Sequence, residues 1–421
     1  MLGKNFLPKI RLSALRRLLF IFVIVAGAFS GGYLLGNKGY KADLKGVTNV
    51  TISRDLPWDR KDLDFSLFWR VLDTLDEKYF DKAKLVRSKM VYGAIQGMVA
   101  AVDDPYTVFL PPPENKVVQE DLQGAFEGVG IQIGFKGSQL AVISPLPGSP
   151  AESVGVQAGD YIIGIKDEAK GIDRGTVGIT LPEAVQVIRG PAGSIVTLVL
   201  LRGDNEEPVV VDIVRDSIEV PSITLEFVGE NEDIAHVKIL KFSGETFDEW
   251  EEVVVDILKK PVLSGIIIDV RNNPGGFLQA AVDLASEFLE NGTLVVSEEG
   301  SRGIEQEFRV DRIGRFRNQN VVILVNQGSA SASEILAGAL KDNEEIPIVG
   351  VTTFGKGTIQ EPQQVGNGAG LHITIARWLT PSGFWVNEGG LVPDYEVEAN
   401  QDTEEDEQLL KAIEILSQQI K

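Results

Sequence analysis

Three almost unbroken apolar runs constrain the second half of this chain: Gly265-Ile-Ile-Ile-Asp-Val270, Val321-Val-Ile-Leu-Val325 and Ile346-Pro-Ile-Val-Gly350. A strand with one wet face alternates polar and apolar residues. A strand that is apolar throughout must be covered on both faces, as in parallel sheets flanked by helices. Helical patterns lie between and after these runs: Phe247 to Leu258, Phe277 to Leu289 behind the turn Pro274-Gly-Gly276, and Ile335, Leu336, Ala339 and Leu340 behind Ser329-Ala-Ser-Ala-Ser-Glu334. Strand and helix alternate, so the expected fold is an α/β core. Ser331 and Glu334 fit an S-x-x-E capping box, which places Ser331 where a helix begins, beside unpaired N–H groups and the positive end of the dipole. After the last apolar run comes Gly355-Lys356-Gly357, a lysine between two glycines on a turn.

The residue inventory removes several chemistries. There is no cysteine, so disulfides, thiolate metal sites and a cysteine nucleophile are excluded. His236 and His372 are the only histidines, and each sits inside an alternating strand pattern. That argues against a histidine metal site and against a Ser-His-Asp triad. Asp269, at the end of a strand, has no partner cluster for a metal and reads as a structural ion pair. Gly350 to Lys356 mimics the first seven positions of a P-loop. Gly357 stands where the hydroxyl residue belongs, however, and a strand pattern follows, so a nucleotide site is rejected. What remains for cleaving an amide is a hydroxyl nucleophile, a base of near-neutral pKa and donors for the oxyanion. Ser331 supplies the first. Lys356 can supply the second if apolar surroundings, with Phe354 and Ile359 near in sequence, disfavour its charge. Gln360 could direct the lysine amine. The Ala332 N–H and one from the Asn272–Gly276 turn could receive the oxyanion.

The N-terminus differs from the rest in charge. Residues 18–37 carry no charge and open Leu-Leu-Phe-Ile-Phe-Val-Ile-Val-Ala, long enough to span a bilayer. Lys4, Lys9, Arg11, Arg16 and Arg17 precede them without an acid, which puts the N-terminus in the cytoplasm and everything after Lys38 outside. A retained helix at Leu18–Gly36 is the preferred reading because the uncharged stretch runs past Ala26-Gly-Ala28. A signal peptide cleaved there is the alternative. Setting those five basic residues aside leaves 35 against 61 acids, a charge of about −26 on the exported body. So acidic a surface excludes nucleic acid as a partner.

Residues 124–203 form an ordered set. Gly128-Val129-Gly130-Ile131 leads into a strand, Ser149-Pro begins a short helix, Gly159 to Ile165 is a strand entered by a turn, Leu181 to Ile188 is an amphipathic helix, and Ile195 to Leu201 closes with a strand. This order resembles a PDZ domain. The resemblance implies that the Gly128–Gly130 turn holds a peptide C-terminal carboxylate and that the strand from Ile131 accepts the peptide as an added strand.

Three motifs carry a wider resemblance: Asp269-Val-Arg-Asn-Asn-Pro-Gly-Gly276, Asn326-Gln-Gly-Ser-Ala-Ser-Ala-Ser-Glu334 and Phe354-Gly-Lys-Gly-Thr-Ile-Gln360. Together with Asp103-Asp-Pro-Tyr-Thr107 and Thr380-Pro-Ser-Gly383, they are similar to the motifs of the carboxy-terminal processing peptidases, PDZ-containing serine peptidases of family S41. The resemblance implies Ser331 as nucleophile, Lys356 as general base, Gln360 as third polar residue and Gly275 and Ala332 as oxyanion donors. It implies no metal or cofactor. The substrates would be proteins or peptides with unstructured apolar C-termini. Homo-oligomeric assembly is also implied, and an activating partner protein is left open. The expected organisation is a multidomain α/β chain: cytoplasmic stub and transmembrane helix (1–37), linker (38–62), small helical region (63–118), PDZ domain (119–205), an α/β peptidase core of ClpP/crotonase-like type (206–400) and a C-terminal helix (401–421). It would be a single-pass membrane protein with its catalytic body on the extracytoplasmic side.

Overall fold

The computed structural model describes residues 12–37, 40–44, 50–54, 64–202, 207–399 and 405–419. The chain divides into two compact units, Met1–Met90 and Val91–Lys421. The first holds helix α1 (Leu12–Asn37), the antiparallel pair β1 (Tyr40–Leu44) and β2 (Val50–Arg54), and helix α2 (Ser66–Lys78). A strand pair thus replaces part of the linker expected at 38–62. The expectations for residues 1–11 and 55–63, for most of the acidic stretch after Asn400, and for Ile420 lie outside the described residues. Side chains described within α1 are Arg16 and residues 19–35. Among the described residues no helix is long and apolar enough to cross a membrane.

Helix α3 (Arg87–Ala100) leads into the second unit and ends before the turn Asp103–Thr107. Strand β3 (Val108–Leu110) follows, then helix α4 (Pro112–Gln123). Helix α4 starts inside the Pro111-Pro-Pro113 run. Proline is tolerated in the first turn, where its missing N–H has no intrahelical partner to lose. Strand β4 (Ala125–Gly128) then pairs with β11 (Asp216–Glu219), and the chain between them forms a separate layer.

That layer contains β5 (Ile131–Lys136), β6 (Gln139–Pro145), α5 (Pro150–Ser153), β7 (Tyr161–Asp167), β8 (Ile172–Gly175), α6 (Leu181–Ile188), β9 (Ile195–Leu201) and β10 (Val209–Val214). Its sheet runs β10-β9-β7-β6-β5, with β8 beside β7, so β5 is an edge strand. Leu140, Ile162, Leu198, Leu200 and Ile213 are fully buried beneath it. Helix α6 is held at its start by a capping box in which Thr180 and Glu183 bond reciprocally. The expected boundary at 205 falls short. Strand β10 belongs to this sheet, because pairing Val209–Val214 with β9 buries Ile213 in its core.

The remaining chain builds the α/β core. Its sheet runs β12 (Ile223–Val228), β13 (Ile234–Ile239), β14 (Gly265–Asp269), β17 (Val321–Val325), β18 (Ile348–Gly350) and β21 (Tyr395–Glu396). Only the β12–β13 pair is antiparallel. Every residue of β14 and β17 is buried. Ile266, Ile268 and Ile323 face one layer with α7 (Thr246–Leu258), α8 (Leu278–Ala285) and α9 (Ala332–Glu344). Ile267, Val322 and Leu324 face the other, where α10 (Glu407–Gln419) contributes Ala412, Ile415 and Leu416. The two-residue repeat of a strand sends neighbours to opposite faces, so both faces need cover. A second sheet, β16 (Gly303–Arg309), β15 (Leu294–Gly300), β20 (Ala369–Leu379) and β19 (Thr358–Gly366), takes β3 onto β20.

Candidate active site

Strand β17 delivers the chain to Asn326-Gln-Gly328 and then to Ser331, where α9 begins. The three serines of this turn divide in role. Ser329 is buried and its hydroxyl donates to Val270 O at 2.7 Å; Ser333 is buried and donates to Asn273 O at 2.9 Å. Both staple the turn to the glycine-rich loop after β14. The Ser331 hydroxyl takes no part in that stapling and lines a cleft of about 600 Å³. Ser331 holds φ +55° and ψ −113°. A non-glycine residue at positive φ costs on the order of 1–3 kcal/mol, and such strain at a strand-to-helix turn presents a side chain sharply outward.

The loop opposite Ser331 is equally constrained. A Cβ on Gly275 would lie 2.8 Å from Ser331 Cβ and 3.1 Å from the Ala332 nitrogen, so only glycine permits this approach. The Ala332 N–H has no hydrogen-bond partner among the described residues, which suits an oxyanion donor. Gly275 differs from expectation: it is buried, and its N–H already donates to Asn273 Oδ1 at 2.9 Å. The next amide, that of exposed Gly276, is without a partner among the described residues. Gly275 therefore supplies close approach, and donates only if Asn273 releases it.

Lys356 reaches the same cleft from the turn between β18 and β19. That turn is pinned from below by Glu334, which is fully buried. One carboxylate oxygen accepts from the Thr353 hydroxyl (2.5 Å) and Gly355 N (2.7 Å), the other from Lys356 N (2.9 Å) and Ser331 N (2.9 Å). The Glu334 half of the expected capping box is thus present, and the same carboxylate also fixes the lysine turn. From the other side the Trp378 and Trp385 indoles donate to Lys356 O (3.0 Å) and Gly357 O (2.8 Å). Lys356 is half-buried. Burial pushes its pKa below that of an ordinary lysine, and the Glu334 charge only partly opposes the shift. Ile359 packs against the core, but Phe354 is 59% exposed and dries nothing. The aromatic wall is Tyr106 instead, whose ring centroid lies 5.1 Å from Lys356 Nζ.

Ser331, Lys356, Gln360 and Gly275 share the cleft, together with His372 from β20. Among the described residues no hydrogen bond joins Ser331 to Lys356, or Lys356 to Gln360. The Gln360 amide nitrogen donates to Thr358 Oγ1 (2.9 Å) and Thr374 Oγ1 (3.2 Å), which leaves its carbonyl end for the lysine. His372 has a lowered pKa, from burial first and then from the Lys356 charge. His236 is structural: it is buried between Glu226 (2.9 Å) and Asp269 (3.1 Å). Asp269 forms an ion pair with Arg271, and no group of His, Asp and Glu suited to a metal occurs among the described residues.

In the smaller domain, Val129 O accepts from Ala151 N (3.0 Å) and Gly130 O from Leu146 N (2.9 Å). These bonds fix the Gly128–Gly130 turn at the head of edge strand β5. Gly130 has φ +72°, and a Cβ there would come within 2.3 Å of Ser149 Cβ. Ile131 and Ile133 pack on the core that also includes Ala184 and Ile188 of α6.

Family models for peptidase family S41 and for the PDZ domain match residues 233–397 and 142–202. The carboxy-terminal processing protease CtpA of Bacillus subtilis is 33% identical over 337 residues, 80% of this chain and 70% of that one. The carboxyl-terminal-processing protease of Synechocystis is 36% identical over 328 residues, 77% of this chain and 74% of its own. A solved Bacteroides fragilis structure assigned to the S41 proteases shares the fold, with TM-score 0.51 at 16% identity over 78% of this chain and 90% of that one.

Proposed function

Because the chain belongs to the carboxy-terminal processing proteases of peptidase family S41, we propose that it is a membrane-anchored serine endopeptidase that cleaves exported proteins near their C-termini, with Ser331 as nucleophile and Lys356 as general base. The observation that carries this reading is the division among three serines. Two are tied to backbone carbonyls, while the third sits on a strained turn in a cleft shared with a half-buried lysine.

The chemistry then runs through the chain's own groups. Ser331 Oγ attacks the scissile carbonyl carbon while its proton passes to the neutral Lys356 amine. The oxyanion is received by the Ala332 N–H and by an amide of the Gly275–Gly276 turn, each donor worth on the order of 10²–10³ in rate. Lys356 returns the proton to the departing amine nitrogen, leaving an acyl-enzyme. It next takes a proton from the water that attacks the ester, and collapse of that intermediate frees Ser331. The carbonyl of Gln360 orients the lysine amine. Catalytic hydrogen bonds that are loose without substrate tighten in the complex, which accommodates the unbonded resting arrangement.

Substrate capture is assigned to the PDZ groove: the Gly128, Val129 and Gly130 turn takes the terminal carboxylate, and β5 from Ile131 takes the extended tail as an added strand. The anchor is assigned to Leu18–Gly36. Its support is the uncharged stretch and the basic flank before it. The body then lies on the extracytoplasmic side, and homo-oligomeric assembly is part of the reading.

The test follows intact mass of an unfolded protein with an apolar C-terminus, incubated with the full chain and its Ser331→Ala and Lys356→Ala variants in detergent. Cleavage by the parent that disappears in both variants is expected. Cleavage that survives in either variant removes that residue from the mechanism.

A further inference from the structure

The turn Asp103–Thr107 precedes the PDZ domain in the chain, yet it is tied to β20, the strand that carries His372 into the cleft. Asp104 accepts from Tyr106 N (3.0 Å) and from the Thr107 hydroxyl (2.6 Å), which closes the turn. The Thr107 oxygen accepts from Thr374 N on β20 (3.1 Å), and Thr374 Oγ1 accepts from the Gln360 amide (3.2 Å). Strand β3 continues the attachment, with Val108 opposite His372. The result places the Tyr106 ring against Lys356 Nζ, for which no hydrogen-bond acceptor is found among the described residues.

Building on the assignment of Lys356 as base, we propose that Tyr106 is a positioning residue: its ring is the seat of the Lys356 amine, and the Asp104–Thr107–Thr374 chain holds ring and Gln360 in one register. An aromatic face attracts an ammonium or an N–H donor through its quadrupole without offering a lone pair that would take the proton. The amine is thereby kept dry and aimed, and still free to act as a base. Water in the same place would do neither. The lead-in segment is thus a component of the active site, contributed from outside the α/β core.

Other titratable groups near the lysine are Glu334 beneath its turn, His372 on β20, Asp104 on the Tyr106 turn, and the Asp121–Lys241 pair elsewhere in the cleft. Of these, His372 is the one whose titration can be mistaken for that of Lys356, so His372→Gln serves as the pH control.

The experiment measures kcat and KM against pH for the full chain carrying Tyr106→Phe, Tyr106→Leu or Tyr106→Ala. Phenylalanine keeps the ring face and is expected to stay within about threefold of the parent. Leucine keeps the bulk and removes the face. With it kcat falls about tenfold at unchanged KM, and the acid limb moves to lower pH, since the ammonium loses its attraction. Alanine admits water, so the limb moves to higher pH. If alanine prevents folding, the leucine–phenylalanine pair still decides. Leucine and phenylalanine variants alike in kcat and in the limb would overturn the proposal, as would a change confined to KM. Lys356→Ala is run beside them. An active Lys356→Ala variant sinks the serine–lysine reading itself. An inactive one alongside unaffected Tyr106 variants sinks only the positioning role.

Discussion

Glu334 is a fully buried carboxylate that receives four donors, from the Ser331 turn and from the Thr353–Lys356 segment. Two turns from different strands are thereby held at a fixed separation by a single side chain. Glutamine in its place would keep one acceptor oxygen but point an NH2 group at N–H donors, leaving buried groups unsatisfied at about 1–3 kcal/mol each. Glu334→Gln should therefore lower kcat at least about 100-fold, because the Ser331 and Lys356 turns move apart, and should depress the melting temperature. Peptide-cleavage kinetics beside a thermal melt check this. A variant with parental kcat would show that the clamp is dispensable. Ser331, Lys356 and Gln360 stand out in the sequence because each lies in a short motif whose spacing carries meaning. The second role of Glu334 does not, since three of its donors lie about twenty positions away. Tyr106 was visible only as part of a turn, for its contact with Lys356 spans the whole PDZ domain.

Elements with a strong pattern are readable in the sequence: β14 and β17 as unbroken apolar runs, α6 and α9 by helical periodicity. Weakly patterned ones were not. Strand β10 alternates too little to reveal which sheet it joins; that is decided by pairing with β9. The amphipathic pattern of α10 did not say which surface it covers, and the structure seats Leu416 directly over Gly265, where a Cβ would come within 2.8 Å of its methyl. At this scale the Gly128–Gly130 turn makes the clearest prediction. In Gly130→Ala a Cβ would enter at φ +72° and collide with Ser149, so the turn must reshape. Binding of a peptide with a free apolar C-terminus should weaken at least about tenfold, while cleavage of a short peptide that bypasses the groove continues. Fluorescence anisotropy against kcat on the short substrate separates the two, and equal losses in both would contradict separate capture and cleavage.

Across the whole molecule, one ionic cluster joins elements distant in the chain. Asp269 on β14 touches His236 on β13 and Arg271, and Arg271 bridges on to Asp406 and Gln408 at the start of α10. Burial pushes the Asp269 pKa up, but the His236 and Arg271 hydrogen bonds and the Arg271 charge outweigh it, bringing it from 3.8 to about 2. A depressed carboxylate stabilises the fold above its unfolded pKa and loses that contribution as pH falls through the folded one. The span corresponds to about 2 kcal/mol, present above about pH 4 and gone below about pH 2. Asp269→Asn should accordingly be less stable than the parent at neutral pH by about 3–5 kcal/mol, since Arg271 loses a buried partner, and the gap should narrow in that acid window. Denaturant melts at several pH values measure it; a gap independent of pH would remove Asp269 as the linked group.

The pairing of β4 with β11 has a separate meaning for ancestry. Residues 125–219 leave the body and return to it through two strands that bond to each other, and Gly124 O lies 3.0 Å from Val220 N where they meet. A segment whose ends are already neighbours behaves as a cartridge. It can be lifted out of a gene, or set into one, without rethreading the sheet that holds Ser331. The PDZ and peptidase parts of this chain can therefore have separate histories. For the same reason, a single nick by a foreign protease in either strand of the stem leaves the cartridge attached by the other.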